Sequence, residues 1–327
     1  MKIVCACLAL LIAITCTGCS VANAPEPERL PEATVLSGAV PPIPDKLKLD
    51  ADSVPLLRVY DTKAKEVREM NAERYVEGVL AGEMRSDWPE EALKAQAILA
   101  RTFVMQFVSE KESRYDGADI STDVSEAQAY NDEKINGRIR TAVSETRGLV
   151  LTSDGKLIHA WFHAHAGGKT ELPSVGLDYR DGDPSYTGVV DSPESEVAPE
   201  SVKHWTASFS AETVGKACAD AGVSTGTVES IEIQSRGESG RVKTFLINGK
   251  AVSAPALRIN LDASKLKSTL IESVELQGGE VVFKGSGYGH GVGMSQWGAY
   301  GLAEQGKTAE EILEHYFHNT EIVPMWN

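Results

Sequence analysis

Cysteine is almost missing from the body of this 327-residue chain. Four of the five cysteines stand at positions 5, 7, 16 and 19, and only Cys218 lies beyond them. No disulfide can therefore form within the main part of the chain, and no cysteine-based zinc motif is present there. Cys218 reads as a small buried side chain. Positive charge is also in short supply. Lys and Arg number 32 against 47 Asp and Glu, a formal charge of −15, which disfavours a nucleic-acid partner. Nucleotide-binding signatures are missing too. The glycine-rich stretch 285–306 never places its third glycine at the GxGxxG offset, and no GK[ST] follows. The one markedly apolar run, residues 3–15, is short for a membrane span. No internal repeat is visible. What remains is ordinary globular composition, 42% hydrophobic and 24% charged, with enough chain for one large core or two modest ones.

Lys2 followed by the apolar run reads as a secretory signal over residues 1–18. Cys16-Thr17-Gly18-Cys19 has the form of a lipidation box, with Cys16 where Leu is usual. Cys19 is thus the candidate lipidation site; an ordinary cleaved signal and an uncleaved anchor are the alternatives. Residues 19–52 carry Pro25, Pro27, Pro31, Pro41, Pro42 and Pro44 and few apolar clusters, the composition of an extended linker. The expectation is an exported protein on the outer face of the cytoplasmic membrane or in the envelope, held through its N-terminus alone, with a domain over 53–327.

That domain should open with a strand, VPLLRVYD, and continue into two helices. The first spans 72–85, capped by Asn71, with Val76, Val79 and Leu80 on its inner stripe. The second starts at Pro89 and carries Leu93, Ala97, Ala100, Val104 and Phe107 inward to about Val108. Beyond residue 120 the pattern turns β-rich: GLVLTS, KLIHAWFHAHAGG, SIEIQS, VKTFLING and EVVFKG alternate between Gly and Asp turns. Thr308 and Glu311 form a capping box for a last helix. The fold class is α+β: a mixed, β-rich core with an N-terminal helical hairpin, a C-terminal helix and a cleft between subregions. Residues 176–210 are expected as a surface excursion or a small lobe.

Four features carry chemistry. The inner stripe of the first helix continues to Glu83, so a carboxyl falls where an apolar group belongs. Burial would raise its pKa and suit it to donate a proton to a glycosidic oxygen, whereas a Glu at the helix end could equally face solvent or pair with Lys94. Arg101 interrupts the second stripe in the same way, either as a snorkelling side chain or as a group turned toward Glu83 and a substrate. Along the glycine run, His290, Ser295, Gln296 and Trp297 interleave polar and aromatic groups. They suit sugar binding, though Trp297 alone could simply pack into the core. Finally His159, Trp161, His163 and His165 share one parity of a predicted strand. The three imidazoles could hold zinc, line a polar groove or face water, and no fourth ligand is evident.

At length these motifs resemble one family. YVEGVLAGEM (75–84), EEALKAQAILARTFV (90–104), DVSEAQAY (123–130), AVSETRGLVL (142–151), the F-H-x-x-x-G-G-x-T pattern at 162–170, SGRVKTFLING (239–249), LRINL (257–261) and GYGHGVGMSQWGAYGLAEQGKTAEEILEHYF (287–317) occur in the order of the SpoIID/LytB family, named for stage II sporulation protein D and the amidase enhancer. The resemblance covers about 55–320. It implies a peptidoglycan lytic transglycosylase that cleaves between N-acetylmuramic acid and N-acetylglucosamine in glycan strands stripped of peptide. It also implies Glu83 as the catalytic group and Arg101 as a needed arginine. Zinc, held in some members by His and Cys near the segment matching 159–170, would here fall to His159, His163 and His165; otherwise no cofactor is implied. The substrate-binding set so assembled is Gln96, Arg101, His163, His290, Ser295, Gln296 and Trp297. Implied partners are glycan strands and a cell-wall amidase. A non-catalytic activator of that amidase is the alternative function, and a zinc-dependent wall hydrolase a third.

Overall fold

The computed structural model describes residues 39–327. The expected signal, Cys19 and most of the proline-rich segment lie outside the described residues. The linker expected up to residue 52 ends sooner than its prolines suggest. Leu47 is buried, and β1 (Lys48–Leu49) pairs antiparallel with β2 (Pro55–Asp61), so these residues join the sheet.

Along β2 Leu57 and Val59 are buried while Arg58 is exposed, the alternation of a strand with one face on a core. β3 (Glu66–Asn71) completes the hairpin. Its last residue, Asn71, caps α1 (Ala72–Glu83) by accepting the Arg74 N–H at 2.9 Å. Tyr75, Val76, Val79 and Leu80 bury the inner face of α1 against α2 (Glu90–Glu110). Glu90 and Glu91 in the first turn of α2 complement its N-terminal dipole. Further along, α2 is buried almost all round, because it runs through the middle of the first core. β4 (Ile120–Ser121) joins β2 in parallel. Then come α3 (Gly137–Glu145), β5 (Leu149–Ser153), β6 (Lys156–Leu157) and β7 (Phe162–His163).

After the short helices α4 (Pro173–Gly176) and α5 (Glu200–Lys203) the chain builds a second core. Its elements are β8 (Trp205–Ser210), α6 (Ala211–Asp220), β9 (Ile231–Arg236), β10 (Val242–Ile247), β11 (Lys250–Ser253), α7 (Ala254–Asn260), β12 (Ile271–Gln277) and β13 (Glu280–Gly285). The strands make two antiparallel sheets, ordered β9-β10-β11 and β8-β13-β12. Cys218 is fully buried in this core.

The chain then returns to the first core. β14 (Met294–Ser295) lies parallel to β7, and α8 (Gln296–Glu304) and α9 (Ala309–Tyr316) pack on α2. β15 (Glu321–Pro324) pairs with β5. The Thr308/Glu311 capping box opens α9 with both reciprocal hydrogen bonds. The architecture is α+β.

Two expectations need correction. KLIHAWFHAHAGG is not one strand. Only Lys156–Leu157 and Phe162–His163 are paired as strands, with a single bridge from His165 to Tyr288, so parity does not carry across 159–165. The segment 176–210 is more than a surface excursion. The Ser192 hydroxyl meets that of Tyr316 at 2.7 Å, Ser195 donates to Glu304 at 2.7 Å, and Glu194 reaches into the interior.

A carboxyl in the cleft between the two cores

Glu83 is the last residue of α1, where the apolar stripe meets the edge of the first core. Its Oε1 accepts the Ala129 N–H at 2.7 Å, and the Gln296 amide also hydrogen-bonds the carboxyl. Burial raises its pKa; those two hydrogen bonds work in the opposite direction and do not cancel the rise. The contact with Ala129 depends on close backbone approach. A β-carbon on Gly82 would lie 2.7 Å from the Ala129 carbonyl carbon and oxygen, and one on Gly78 would enter the Tyr130 ring. The Asn131 N–H donates to the Gly78 carbonyl at 2.8 Å. The two glycines of YVEGVLAGEM thus let segment 127–131 lie flat on α1.

Glu83 faces a cleft of about 460 Å³. Gln128 and Gln296 flank it on the first-core side, and Arg258, Tyr288, His163 and His290 line the rest with Trp161 and Phe162. The His163 Nδ1 meets the Val292 carbonyl at 3.1 Å and must donate to it, which leaves a bare acceptor at Nε2 in the neutral ring. His290 Nδ1 accepts the Val292 N–H at 3.0 Å. Burial pushes both imidazoles far down, His290 to about 3, with the nearby cation Arg258 as the next cause for His290. Both are therefore neutral near pH 7. The glycine run permits this wall: Gly289 sits at φ 105°, and a β-carbon there would lie 2.7 Å from His163 Cβ. Arg258 donates from Nε to the Leu266 and Lys267 carbonyls, both at 3.0 Å, and lines the cleft. The charged pair of the cleft is thus one carboxyl and one guanidinium.

A family model described as Stage II sporulation protein (SpoIID) matches residues 60–153, which include α1, α2 and segment 127–131. A second, a domain of unknown function (DUF8618), matches 195–293, the second core and the glycine run as far as Gly293. Over 290 residues the chain is 33% identical to stage II sporulation protein D of Bacillus amyloliquefaciens, covering 84% of this chain and 80% of that protein. The chain belongs to the stage II sporulation protein D family. The Bacillus subtilis member is 31% identical over 293 residues, 85% of this chain and 81% of its own length. An amidase enhancer of Bacillus subtilis is 28% identical over 293 residues, 76% of this chain but 40% of that protein.

Among the residues singled out from the sequence, Glu83, Trp161, His163, His290 and Gln296 come together in the cleft. The others fall elsewhere. Arg101 is fully buried and forked onto Glu73: its Nη2 lies 2.6 Å from Oε2 and its Nε 3.1 Å from Oε1. Glu73 Oε1 also accepts the Gly148 N–H and the Trp326 indole N–H, each at 2.9 Å, while Arg101 Nη1 donates to the Leu149 carbonyl at 3.0 Å. Arg101 therefore ties α1, α2, β5 and the C-terminus together and touches no substrate surface. Gln96 is likewise fully buried and accepts from Gln296 Nε2 at 3.4 Å, beneath the cleft. Ser295 is buried as the N-cap of α8. It accepts the Gly298 N–H at 3.2 Å and donates to the Glu194 carboxyl, so it sets where Gln296 begins. Trp297 packs against Trp88 with the rings tilted, centres 4.4 Å apart, and lines a separate depression with Arg85, Asp87 and Tyr300.

The three imidazoles considered for zinc do not converge. His159 stacks on Trp161 and meets the Tyr179 hydroxyl, His163 turns to the cleft, and His165 accepts the Gly167 N–H with its Nε2 3.7 Å from Glu194. Among the described residues no group of three His, Cys, Asp or Glu side chains has metal-holding geometry.

Gln128, Arg258 and Tyr288 escaped sequence reasoning. Each lies within a stretch used for the resemblance, but a polar residue in a loop or at a helix end has no periodicity to break. Glu194 was hidden inside the supposed excursion.

Proposed function

We propose that this protein is a lytic transglycosylase acting on the glycan strands of peptidoglycan, with Glu83 as acid and then base. One observation carries the reading: a single carboxyl, its pKa raised by burial, on the wall of a cleft otherwise built from neutral imidazoles, amides, aromatic rings and one arginine. Hydrolases that activate water usually place two carboxyls about the bond. One suffices when the nucleophile belongs to the sugar.

In this reading protonated Glu83 donates to the oxygen bridging N-acetylmuramic acid and N-acetylglucosamine. The C1–O bond breaks, the departing sugar keeps the proton, and C1 gains oxocarbenium character. Glu83, now ionised and held by the Ala129 N–H and Gln296, takes the proton of the muramic C6 hydroxyl as that oxygen closes on C1. The products are a 1,6-anhydro end and a protonated Glu83, with no water consumed. His163 Nε2 supplies an acceptor for a sugar hydroxyl. Arg258 favours an anionic strand, and removal of peptide by an amidase exposes the lactyl carboxylate.

The substrate lies outside the cytoplasm, which agrees with the signal-like N-terminus and an anchor at Cys19. The amidase-enhancer relative supports a wall amidase as the partner that prepares the strand. Digestion of peptide-free strands tests the assignment. Wild type should release anhydro ends, and Glu83→Gln should lose about 10²–10⁴ of the rate with its fold intact, as expected for a general acid. A Glu83→Gln protein that releases them undiminished, or acts only by stimulating the amidase, would transfer the chemistry to the partner.

A further inference from the structure

Gln128 stands in the wall of the Glu83 cleft with only 3% of its surface exposed. Neither its Oε1 nor its Nε2 has a hydrogen-bond partner in the protein. Native structures rarely leave both ends of a buried amide unmatched, because each unpaired group forfeits its bonds to water. The arrangement is not slack in a mobile loop. Ala127 and Ala129 flank Gln128; Ala129 is pinned to Glu83 by its N–H at 2.7 Å, and Asn131 is pinned to Gly78 at 2.8 Å. The backbone that presents the amide is therefore fixed by the same contacts that hold the carboxyl.

A carboxamide offers one acceptor and two donors in a plane. Its complement is another amide, presenting N–H and C=O together. Peptide-stripped glycan carries that group at C2 of every sugar. Resting on the reading of Glu83 as a glycan-cleaving group, we infer that Gln128 recognises a 2-acetamido substituent and makes the cleft selective for N-acetylated sugars. Through both amide hydrogen bonds it registers the strand against Glu83. Hydroxyl-bearing sugars of the same linkage would leave both ends of Gln128 unpaired, which is the circumstance under which a polar site rejects a near-analogue strongly.

A matched neutral pair of probes tests this. Chitotetraose and cellotetraose share the β-1,4 linkage and differ only in the C2 substituent. Binding is measured by calorimetry on Glu83→Gln, to suppress turnover, and on Glu83→Gln/Gln128→Met. The first should prefer chitotetraose by about 10- to 100-fold, the range expected for an amide left unpaired on one side. The second should show a preference within about 3-fold, with cellotetraose affinity unchanged. Its thermal midpoint should equal or exceed that of the parent, since an apolar chain of similar shape removes two unmatched polar atoms.

A preference that survives Gln128→Met, an equal loss for both sugars together with a lowered midpoint, or no preference in the parent overturns the inference. Gln128→Leu is the second replacement, and failure of both variants to fold would make the amide structural and overturn it as well. The assignment of Glu83 is read separately, from anhydro ends made by the wild type. Their presence alongside an absent acetamido preference sinks only Gln128.

Discussion

Two residues divide the work of charge in the cleft. Glu83 resists ionisation because burial outweighs the hydrogen bonds from Ala129 and Gln296. Its folded pKa lies above the unfolded value, so the protonated form is the one the fold favours. Any stability it lends is complete at low pH and is lost as pH rises through the folded value. Activity should follow the same sign: the alkaline limb of the rate profile reports loss of the acid form. Arg258 is the opposite case, a cation kept in the cleft by two backbone carbonyls. Arg258→Gln should raise KM for peptide-stripped strands by about 10-fold, the scale of a lost charge-assisted hydrogen bond, with a smaller change for strands still carrying peptide. Competition assays on the two strand types would show it; an equal change for both would remove Arg258 from carboxylate recognition.

At the scale of elements, α1 and α2 both break their apolar stripes with a charged residue, and the two interruptions have different causes. The stripe of α1 runs out at Glu83 because the helix ends at the cleft. The stripe of α2 is interrupted at Arg101 because Glu73, on the neighbouring helix, supplies its counter-charge inside the core. The pattern showed both anomalies equally and could not tell them apart, since the partner of Arg101 sits 28 positions away on a face that reads as ordinary helix. Arg101→Met should destabilise the protein by about 3–5 kcal/mol, the cost of stranding one member of a buried ion pair. Chemical denaturation would measure it, and a loss of activity with undiminished stability would restore a direct role at the substrate. Helix ends were legible from Asn71, Pro89 and the Thr308/Glu311 box because caps are local chemistry. The strand expected over 156–168 was not, because its neighbours are the returning glycine run and the bridge to Tyr288, contacts more than a hundred residues apart.

Across the whole molecule the cleft exists because the chain leaves the first core, builds the second, and comes back through β14 and α8. Glu194 helps hold that return. It accepts the Ala166 N–H at 2.9 Å and the Ser295 hydroxyl at 3.0 Å, and His165 and Arg241 lie near it. Burial lifts its pKa from 4.5 to about 7. The protonated form is again favoured by folding, so its contribution is complete below about 4.5 and lost as pH rises through about 7. The swing is on the order of 3 kcal/mol. Unfolding free energies taken across that window should fall with pH more steeply for wild type than for Glu194→Gln; parallel curves would show that Glu194 ionises freely in the fold. None of this could be read from residues 176–210, whose prolines and charges look like solvent-facing loop until Ser295 and Ala166 are seen beside them.

Glu83 passing a proton out and taking one back without water is what separates this account from hydrolysis. Mass spectrometry of peptide-free strands digested in water enriched in heavy oxygen reads that directly. The account predicts new muramic ends one water lighter than a reducing end and free of the heavy isotope. Reducing ends carrying the heavy oxygen would show water as the nucleophile and contradict it.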